Sequence, residues 1–149
     1  MSVSLQDWLA NGWLKKHQTS RREIQNLLNL VDRDLRDSRT PGLSADAKLS
    51  LAYEAALQAA SAALAAAGFR TAAESHHYRT IQSLAHTIEA DASFVSELDH
   101  FRVKRNTVKY ELAGTASEAD ARRIVSLAER LSEDVLGWLR EKHPRLLQK

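Results

Sequence analysis

The chain contains no cysteine among its 149 residues, which excludes disulfide bonds and zinc sites built from thiolates. This composition suits a reducing compartment, so we expect a cytoplasmic protein. Only five glycines and two prolines are present, so tight turns are few and long helices are favoured. Patterns typical of β-strands are almost absent.

A strong excess of charge of one sign is also missing, because the formal net charge is +2 at pH 7. Any affinity for nucleic acid must therefore come from a local cluster of cations and not from bulk charge. No apolar run reaches membrane-spanning length without interruption, since Glu54 and Gln58 lie inside the Ala-rich stretch. Asp7 and Asn11 interrupt the early apolar residues, so neither a signal peptide nor a membrane partner is expected.

Apolar residues recur at helical spacing and predict the first part of the fold. Ser20 and Glu23 form a capping-box pattern before a helix that ends near Pro41. An Ala-rich helix follows from Ser44 and is closed by Gly68; so many small residues on a buried face indicate the central core helix. Its repeating positions are Leu49, Tyr53, Ala56, Ala60, Ala63 and Ala67.

The N-terminal segment predicts a short helix over residues 4–16, capped by Ser4. Gly12 weakens this helix, so a bend is expected there. Two tryptophans so close to a terminus, Trp8 and Trp13, are typical of side chains that cover the open end of a helical bundle.

The second half of the chain predicts three further helices. They are the segments 74–88, 94–112 and the stretch that begins near Ser117. Five or six helices with short connections give an all-α, antiparallel up-and-down bundle. We expect a single domain over residues 1–149, with an N-terminal helical extension over 1–18 and the bundle over 20–143.

The most informative stretch is the predicted fifth helix. Its apolar residues fall on one stripe about 80° wide: Phe94, Leu98, Phe101, Val108 and Leu112. We place polar residues on the neighbouring flank: Arg102, Arg105, Asn106, Lys109 and Tyr110. Lys104 adds a further cation, and guanidinium groups suit phosphate or carboxylate. The structural alternative is a solvated face whose arginine stems cover apolar neighbours.

Two adjacent histidines, His76 and His77, precede this helix. Neighbouring residues on a helix diverge by about 100°, so the pair cannot chelate one ion together, and no metal site is expected. Either histidine can reach the basic flank, because loops between helices commonly line the clefts of a bundle.

Three segments in this order resemble the HEPN (higher eukaryotes and prokaryotes nucleotide-binding) domains, and most of all their small, stand-alone bacterial members. The segments are GLSADAKLSLAYEAALQAA, HHYRTIQSL and ELDHFRVKRNTVKYE. The resemblance spans roughly Leu27 to Trp138, and Arg105-Asn106-x-x-x-Tyr110 is its most specific part. It implies a helical bundle that forms a homodimer in which the motif helices meet, without a cofactor.

Ribonucleases of this family carry an arginine, a polar residue and then a histidine four residues further on. They cut RNA without a metal, often as toxins paired with a nucleotidyltransferase or another antitoxin. By position, the resemblance implies that Arg105 steadies the scissile phosphate and Asn106 orients it. Tyr110 stands where the histidine should be, and an unperturbed phenol, with a pKa of about 10, is a poor general base at pH 7.

Three functional hypotheses follow. The first is a module that binds RNA or nucleotide phosphate, as part of a toxin–antitoxin or defence system. The second is an active, metal-independent endoribonuclease toxin that uses Tyr110 or a nearby histidine. The third is a non-catalytic interaction module whose basic flank meets an acidic partner. Outside the three motif positions, the expected phosphate-binding residues are Arg102, Lys104, Lys109, His76 and His77.

Overall fold

The computed structural model describes residues 4–73 and 76–148, and within these ranges the chain forms six α-helices and one small sheet. The elements are α1 (Leu5–Ala10), β1 (Leu14–Lys16), α2 (Arg21–Ser38), α3 (Ala45–Ala66), β2 (Phe69–Thr71), α4 (His76–Gln82), α5 (Ala92–Tyr110) and α6 (Glu118–Lys142). Short 3-10 turns follow α4 and α6, over Ser83–Ala85 and Pro144–Leu146. The predicted all-α helical bundle is confirmed.

Parts of two predictions lie outside the described residues. They are residues 1–3 and 149 of the predicted domain, and Glu74 and Ser75 at the start of the predicted fourth helix.

α3 is the central helix, as predicted, because it packs against α2, α4, α5 and α6. Its alanines are buried almost without exception, and such small side chains let the neighbouring helices approach closely. Gly68 follows the helix with φ of 98°, a left-handed conformation that favours glycine and ends the helix. No helix among the described residues, this one included, is both long and apolar enough to span a bilayer.

Side-chain caps begin five of the six described α-helices. The N-cap residues are Ser4, Ser20, Ser44, Asp91 and Ser117. The predicted capping box at α2 is only half formed: the Ser20 hydroxyl accepts from the Glu23 backbone N–H. The Glu23 carboxylate turns instead to His17 and Thr19, because those side chains offer it two hydrogen-bond donors.

The helix predicted over residues 4–16 is wrong in its second half. α1 ends at Ala10, Gly12 adopts φ of 77°, and the chain then pairs as β1 antiparallel to β2, with Leu14 opposite Thr71. A strand of three residues is too short to show alternation in the sequence. The strand delivers Leu14 to a small cluster beside Trp8, Leu64 and Phe69, so that Trp8 is buried. Trp13, which was expected to cover the bundle in the same way, stays exposed instead.

Two boundaries differ from the prediction in the second half of the chain. The predicted fourth helix over 74–88 is α-helical only over His76–Gln82 before the 3-10 turn. α5 ends at Tyr110, so Leu112 lies beyond the helix and is exposed, which makes its assignment to the buried stripe wrong. Phe94, Leu98 and Phe101 are buried as predicted.

We predict that Ala60→Leu destabilises the protein by about 1–3 kcal/mol, because Ala60 is almost fully buried and the added carbons overpack the centre of the bundle. Urea denaturation followed by circular dichroism measures the change. Ala119→Leu, at an exposed position of α6, is the matched control and should change stability by no more than about 0.5 kcal/mol. Equal stability of the two variants would contradict the central position of α3.

Candidate functional site

Arg105 lies in the protein core and not on the exposed flank predicted for it. Its exposed fraction is only 6%. At about 100° per residue it projects within about 40° of both Phe101 and Leu98, so helical geometry places it inside the apolar stripe. The sequence already contained this result, and the assignment of Arg105 to the neighbouring flank was wrong.

The partner of Arg105 is Glu54 on α3. Arg105 Nη2 donates a hydrogen bond of 2.5 Å to Glu54 Oε1, whereas Arg105 Nε is buried without a hydrogen-bond partner among the described residues. A buried guanidinium needs an opposite charge, and Glu54 supplies it from the Ala-rich middle of α3. From the sequence, Glu54 was read only as an interruption of an apolar run. An acid in the middle of such a run is the signal that could have identified this pair.

A buried phenol and an imidazole continue this cluster. The Arg105 guanidinium carbon lies 5.4 Å from the centroid of the Tyr53 ring, and the Tyr53 hydroxyl lies 3.2 Å from His77 Nδ1. Burial raises the pKa of the Tyr53 phenol above its ordinary value, while the nearby guanidiniums of Arg105 and Arg102 act in the opposite direction. Tyr53 therefore stays neutral, and its hydroxyl donates to or accepts from His77 Nδ1 according to the tautomer of the imidazole.

His77 is the member of the histidine pair that lies near the cations of α5. Burial lowers the pKa of its imidazole, and the positive charges of Arg105, Arg102 and Lys109 lower it further. The imidazole is therefore neutral at pH 7. His76 is in contact with it, at 5.3 Å between ring centroids, but its own Nδ1 forms a hydrogen bond with the Thr71 hydroxyl on β2.

Carboxylates already neutralise most of the predicted phosphate-binding cations. Arg102 Nε lies 2.6 Å from Asp99 Oδ1, and Lys104 Nζ lies 2.7 Å from Asp120 Oδ2, whose pKa falls to about 2 largely through this contact. Lys109 forms no ion pair within the part of the chain that the structure describes. It is therefore the α5 cation most available to an anionic ligand.

Exposed aromatic rings alternate with cations beside this cluster. The Arg79 guanidinium carbon lies 3.6 Å from the centroid of the Trp13 ring and 5.9 Å from that of Tyr78. The Arg102 guanidinium carbon lies 5.4 Å from the centroid of the same Tyr78 ring. Trp13 is 36% exposed and Tyr78 39%. We call Trp13, Arg79, Tyr78 and Arg102 the cation–aromatic row. Trp13 lies directly before β1, Arg79 and Tyr78 lie in α4, and Arg102 lies in α5.

The three motif positions do not converge within one protomer. Tyr110 is 69% exposed, with Lys109 Nζ 5.3 Å from its ring centroid, whereas Arg105 is buried. Five residues of a helix rotate the chain by about 500°, so these two side chains point about 140° apart. Asn106 is half-buried and lies one turn before Tyr110, on a nearby face.

Within residues 4–73 and 76–148, no three His, Asp or Glu side chains are grouped so that they could hold a metal ion. No protein-family model matches the chain, and comparison with curated proteins gives no match. The resemblance to HEPN domains therefore depends on the three sequence segments alone.

We predict that stability decreases as the pH falls below about 6.5. Burial lowers the pKa of His77 and of His143 in the folded protein, so the unfolded chain binds more protons in this range. The contribution of the neutral imidazoles is complete above the unfolded pKa of about 6.5 and is lost as the pH falls through the lower folded pKa. Urea midpoints measured between about pH 7.5 and pH 5 give this dependence.

Single substitutions show which residue causes this dependence of stability on pH. His77→Gln should flatten part of the dependence, and exposed His100→Gln, one turn from the same core stripe, should leave it unchanged. Asp120 and Glu97, whose pKa values are lowered by Lys104 and Arg123 respectively, add a separate loss only below about pH 4.5. An unaltered slope in His77→Gln would show that the imidazole is not buried.

Proposed function

We propose that this protein is an HEPN-like module that binds RNA or nucleotide phosphate on the surface formed by α4 and the second half of α5. The observation that carries the proposal is the cation–aromatic row, which places exposed rings and guanidiniums side by side. Aromatic rings stack on unpaired bases, and cations attract the phosphates between them. Both contacts tolerate many base sequences, so we expect binding with little sequence preference.

In this proposal, the residues in and around the row contact different parts of the RNA. Lys109 and Arg79 contact phosphate, and Tyr78 and Trp13 stack on bases. Arg102 contributes while it remains bonded to Asp99, since a paired guanidinium retains further N–H donors. These are sequence-tolerant contacts that require no rearrangement of the core.

Four of the expected site residues have secondary roles in this proposal. Lys104 is a weaker phosphate contact because Asp120 already holds it. Asn106 can donate its amide to a ligand that lies near Tyr110, and His76 and His77 bring two imidazoles to the inner side of the row.

Arg105 acts in this proposal as a positioning residue. Its guanidinium joins α5 to α3 through Glu54 and holds Tyr53 and His77 beside the row. Direct contact with a phosphate would require Glu54 to be displaced, because the side chain of Arg105 is buried against it. Arg105→Ala would leave Glu54 without its partner and open the core, so it is a poor probe of binding alone.

A nuclease is the second candidate function, favoured by the neutral imidazole of His77 close to Arg105. A neutral imidazole can accept the proton of a ribose 2′-hydroxyl, which is the step that metal-independent RNA cleavage needs. The toxin hypothesis depends on this step, with Tyr110 or His77 as the acid–base group.

An interaction module is the third candidate, favoured by apolar exposure at the end of α5. Val103 is 51% exposed, and Tyr110 and Leu112 are exposed beside the same helix end. A second copy related by a two-fold axis would cover this surface with the same residues, and an antitoxin or nucleotidyltransferase partner would cover it in another way. The same two-fold arrangement would place the Tyr110 side chains of both copies in one shared groove.

We predict that the protein binds a fluorescently labelled single-stranded RNA oligonucleotide, with affinity that decreases as salt rises. Tyr78→Ala should weaken binding about 5- to 100-fold through loss of stacking, whereas Tyr78→Phe, which keeps the ring, should bind almost as the parent does. Lys109→Gln should lower the slope of log K against log salt by about 0.7. Fluorescence anisotropy at several salt concentrations measures both effects.

Arg140→Gln is the matched control for Lys109→Gln, because it removes one exposed cation from α6 outside the row. It should leave affinity for RNA nearly unchanged. If the parent does not bind RNA, or if both charge variants weaken binding equally, the surface around the row and Lys109 is not the binding site.

For the nuclease candidate, we predict that Tyr110→His introduces or increases RNA cleavage in the presence of EDTA. Histidine titrates near neutrality and can exchange protons with a 2′-hydroxyl, which the phenol does poorly at pH 7. Tyr110→Phe is the control: a parent enzyme that uses the phenol should lose about tenfold or more in rate, and a binding module should lose none. Absence of cleavage in all three proteins argues against this candidate.

For assembly, we predict a homodimer at micromolar concentration that Val103→Glu dissociates, because the substitution buries an unpaired charge in the interface. Multi-angle light scattering reports the mass directly. Ala119→Glu adds the same charge at an exposed position of α6, outside this surface, and serves as the control. A monomeric parent would remove the homodimer from the proposal and leave RNA binding to be judged separately.

A further inference from the structure

The two-stranded sheet beside the cation–aromatic row carries positive charge on its exposed face. Its strands are LKK and FRT, with three cations and no acid. The register places Lys15 directly opposite Arg70, and both side chains are exposed. Cross-strand partners lie on the same side of a sheet, so these two cations share its outer face. The neighbouring pair, Leu14 and Thr71, is buried on the inner face.

Two like charges directly opposite each other are unfavourable for the sheet that holds them. Their repulsion destabilises the pairing, and two strands of three residues have little stability to lose. Neither Lys15 nor Arg70 forms an ion pair among the residues that the structure describes. Glu23, the next acid along the chain after β1, is bonded to His17 and Thr19. The two charges therefore weaken the sheet and remain available to an anionic ligand.

The outer face of the sheet is continuous with the row. The Ala72 backbone N–H donates to the Trp13 carbonyl oxygen at 3.0 Å, so the pairing of the strands continues one residue before β1. Side chains two residues apart on a strand lie on the same face, which places Trp13 beside Lys15. Arg70 is the diagonal neighbour of Trp13 across the sheet, at a separation of about 7–8 Å that long side chains can bridge. The row and the sheet therefore meet at Trp13.

The row itself has a linear order. Arg102, Tyr78, Arg79 and Trp13 follow one another, with 5.4, 5.9 and 3.6 Å between successive guanidinium carbons and ring centroids. A ligand that follows this order reaches Trp13 at one end and meets the outer face of the sheet there. An unpaired RNA strand is such a ligand, because its phosphates and bases repeat along one line.

We propose that Lys15 and Arg70 extend the RNA-binding surface beyond Trp13, so that one RNA strand lies across the row and then across the outer face of the sheet. This inference rests on the proposed function. The two cations contact phosphates, which carry no sequence information. The extension therefore increases the affinity and its salt dependence but adds no preference for particular bases.

RNA length tests the extension. An oligouridine of about 12 nucleotides can cover the row and the sheet, whereas one of about 4 nucleotides has the length of a small stacking site and is held by the rings. Lys15→Gln combined with Arg70→Gln should weaken binding of the long RNA about tenfold and lower its slope of log K against log salt by about 1.4, which is about 0.7 for each contact. The short RNA should bind this double variant nearly as it binds the parent. Fluorescence anisotropy measures both affinities.

The matched control is Arg122→Gln combined with Arg140→Gln, which removes the same charge from exposed positions of α6. It should leave the affinity for both RNAs nearly unchanged, and an equal loss in the two double variants would overturn the extension. If Tyr78→Ala weakens binding of the long RNA but the sheet variant does not, RNA binds to the row alone. The extension is then wrong while the proposed function stands. If the parent binds neither RNA, both are wrong.

Lys15→Glu separates binding from folding. It replaces the repelling pair with an opposite-charge pair across the strands, so the urea midpoint should rise. The same variant should weaken binding of the long RNA more than Lys15→Gln does, because it adds repulsion from phosphate. A lower midpoint would show that the Lys15 charge serves the fold and would contradict the proposal.

A polyglutamate peptide of about 12 residues tests for an acidic protein as the partner instead. It should bind the parent at least tenfold more weakly than the long RNA, because it offers no bases to stack on the rings of the row. If the peptide binds as tightly as RNA and loses as much affinity in the sheet variant, the outer face of the sheet serves an acidic protein and the assignment to RNA is wrong.

Discussion

The ion pair between Arg105 and Glu54 is the interaction on which the arrangement of α5 depends. α3 packs through alanines, which give close helix contact but no directional bonds. A buried guanidinium cannot remain without an opposite charge, so Arg105 fixes α5 at the height of Glu54 along α3. The same pair holds Tyr53 beside the guanidinium, and Tyr53 in turn contacts His77 on α4. One buried charge thus positions three helices relative to one another.

That constraint determines which side chains are available at the surface. Because Arg105 serves the core, and because Asp99 and Asp120 hold Arg102 and Lys104, positive charge on α5 is available to ligands mainly at Lys109 and at the outer edge of Arg102. The exposed rings of Trp13 and Tyr78 lie beside Arg79 and offer stacking surface where the available positive charge is modest. The surface is therefore better suited to stacking with moderate electrostatic attraction than to a dense phosphate contact.

Much of the fold was predictable because helical periodicity and capping residues are local properties. Ser44, Asp91 and Ser117 begin their helices through hydrogen bonds that reach only three residues along the chain. The burial of Arg105 was also predictable, since its angle on the helix lies between those of Phe101 and Leu98. The strand Leu14–Lys16 was not, because three residues carry no period and the partner strand is distant in sequence.

The sequence by itself determined an all-α bundle around an Ala-rich central helix, because repeating apolar positions and side-chain caps act over a few residues. Only the tertiary structure decided what the charged and aromatic residues do. The pairing of Arg105 with Glu54 spans 51 positions, and Trp13 and Arg79 of the row are separated in sequence by the whole of α2 and α3. Such contacts depend on how helices are placed relative to one another. Each charged side chain has several partners that the sequence alone would allow, and packing selects among them.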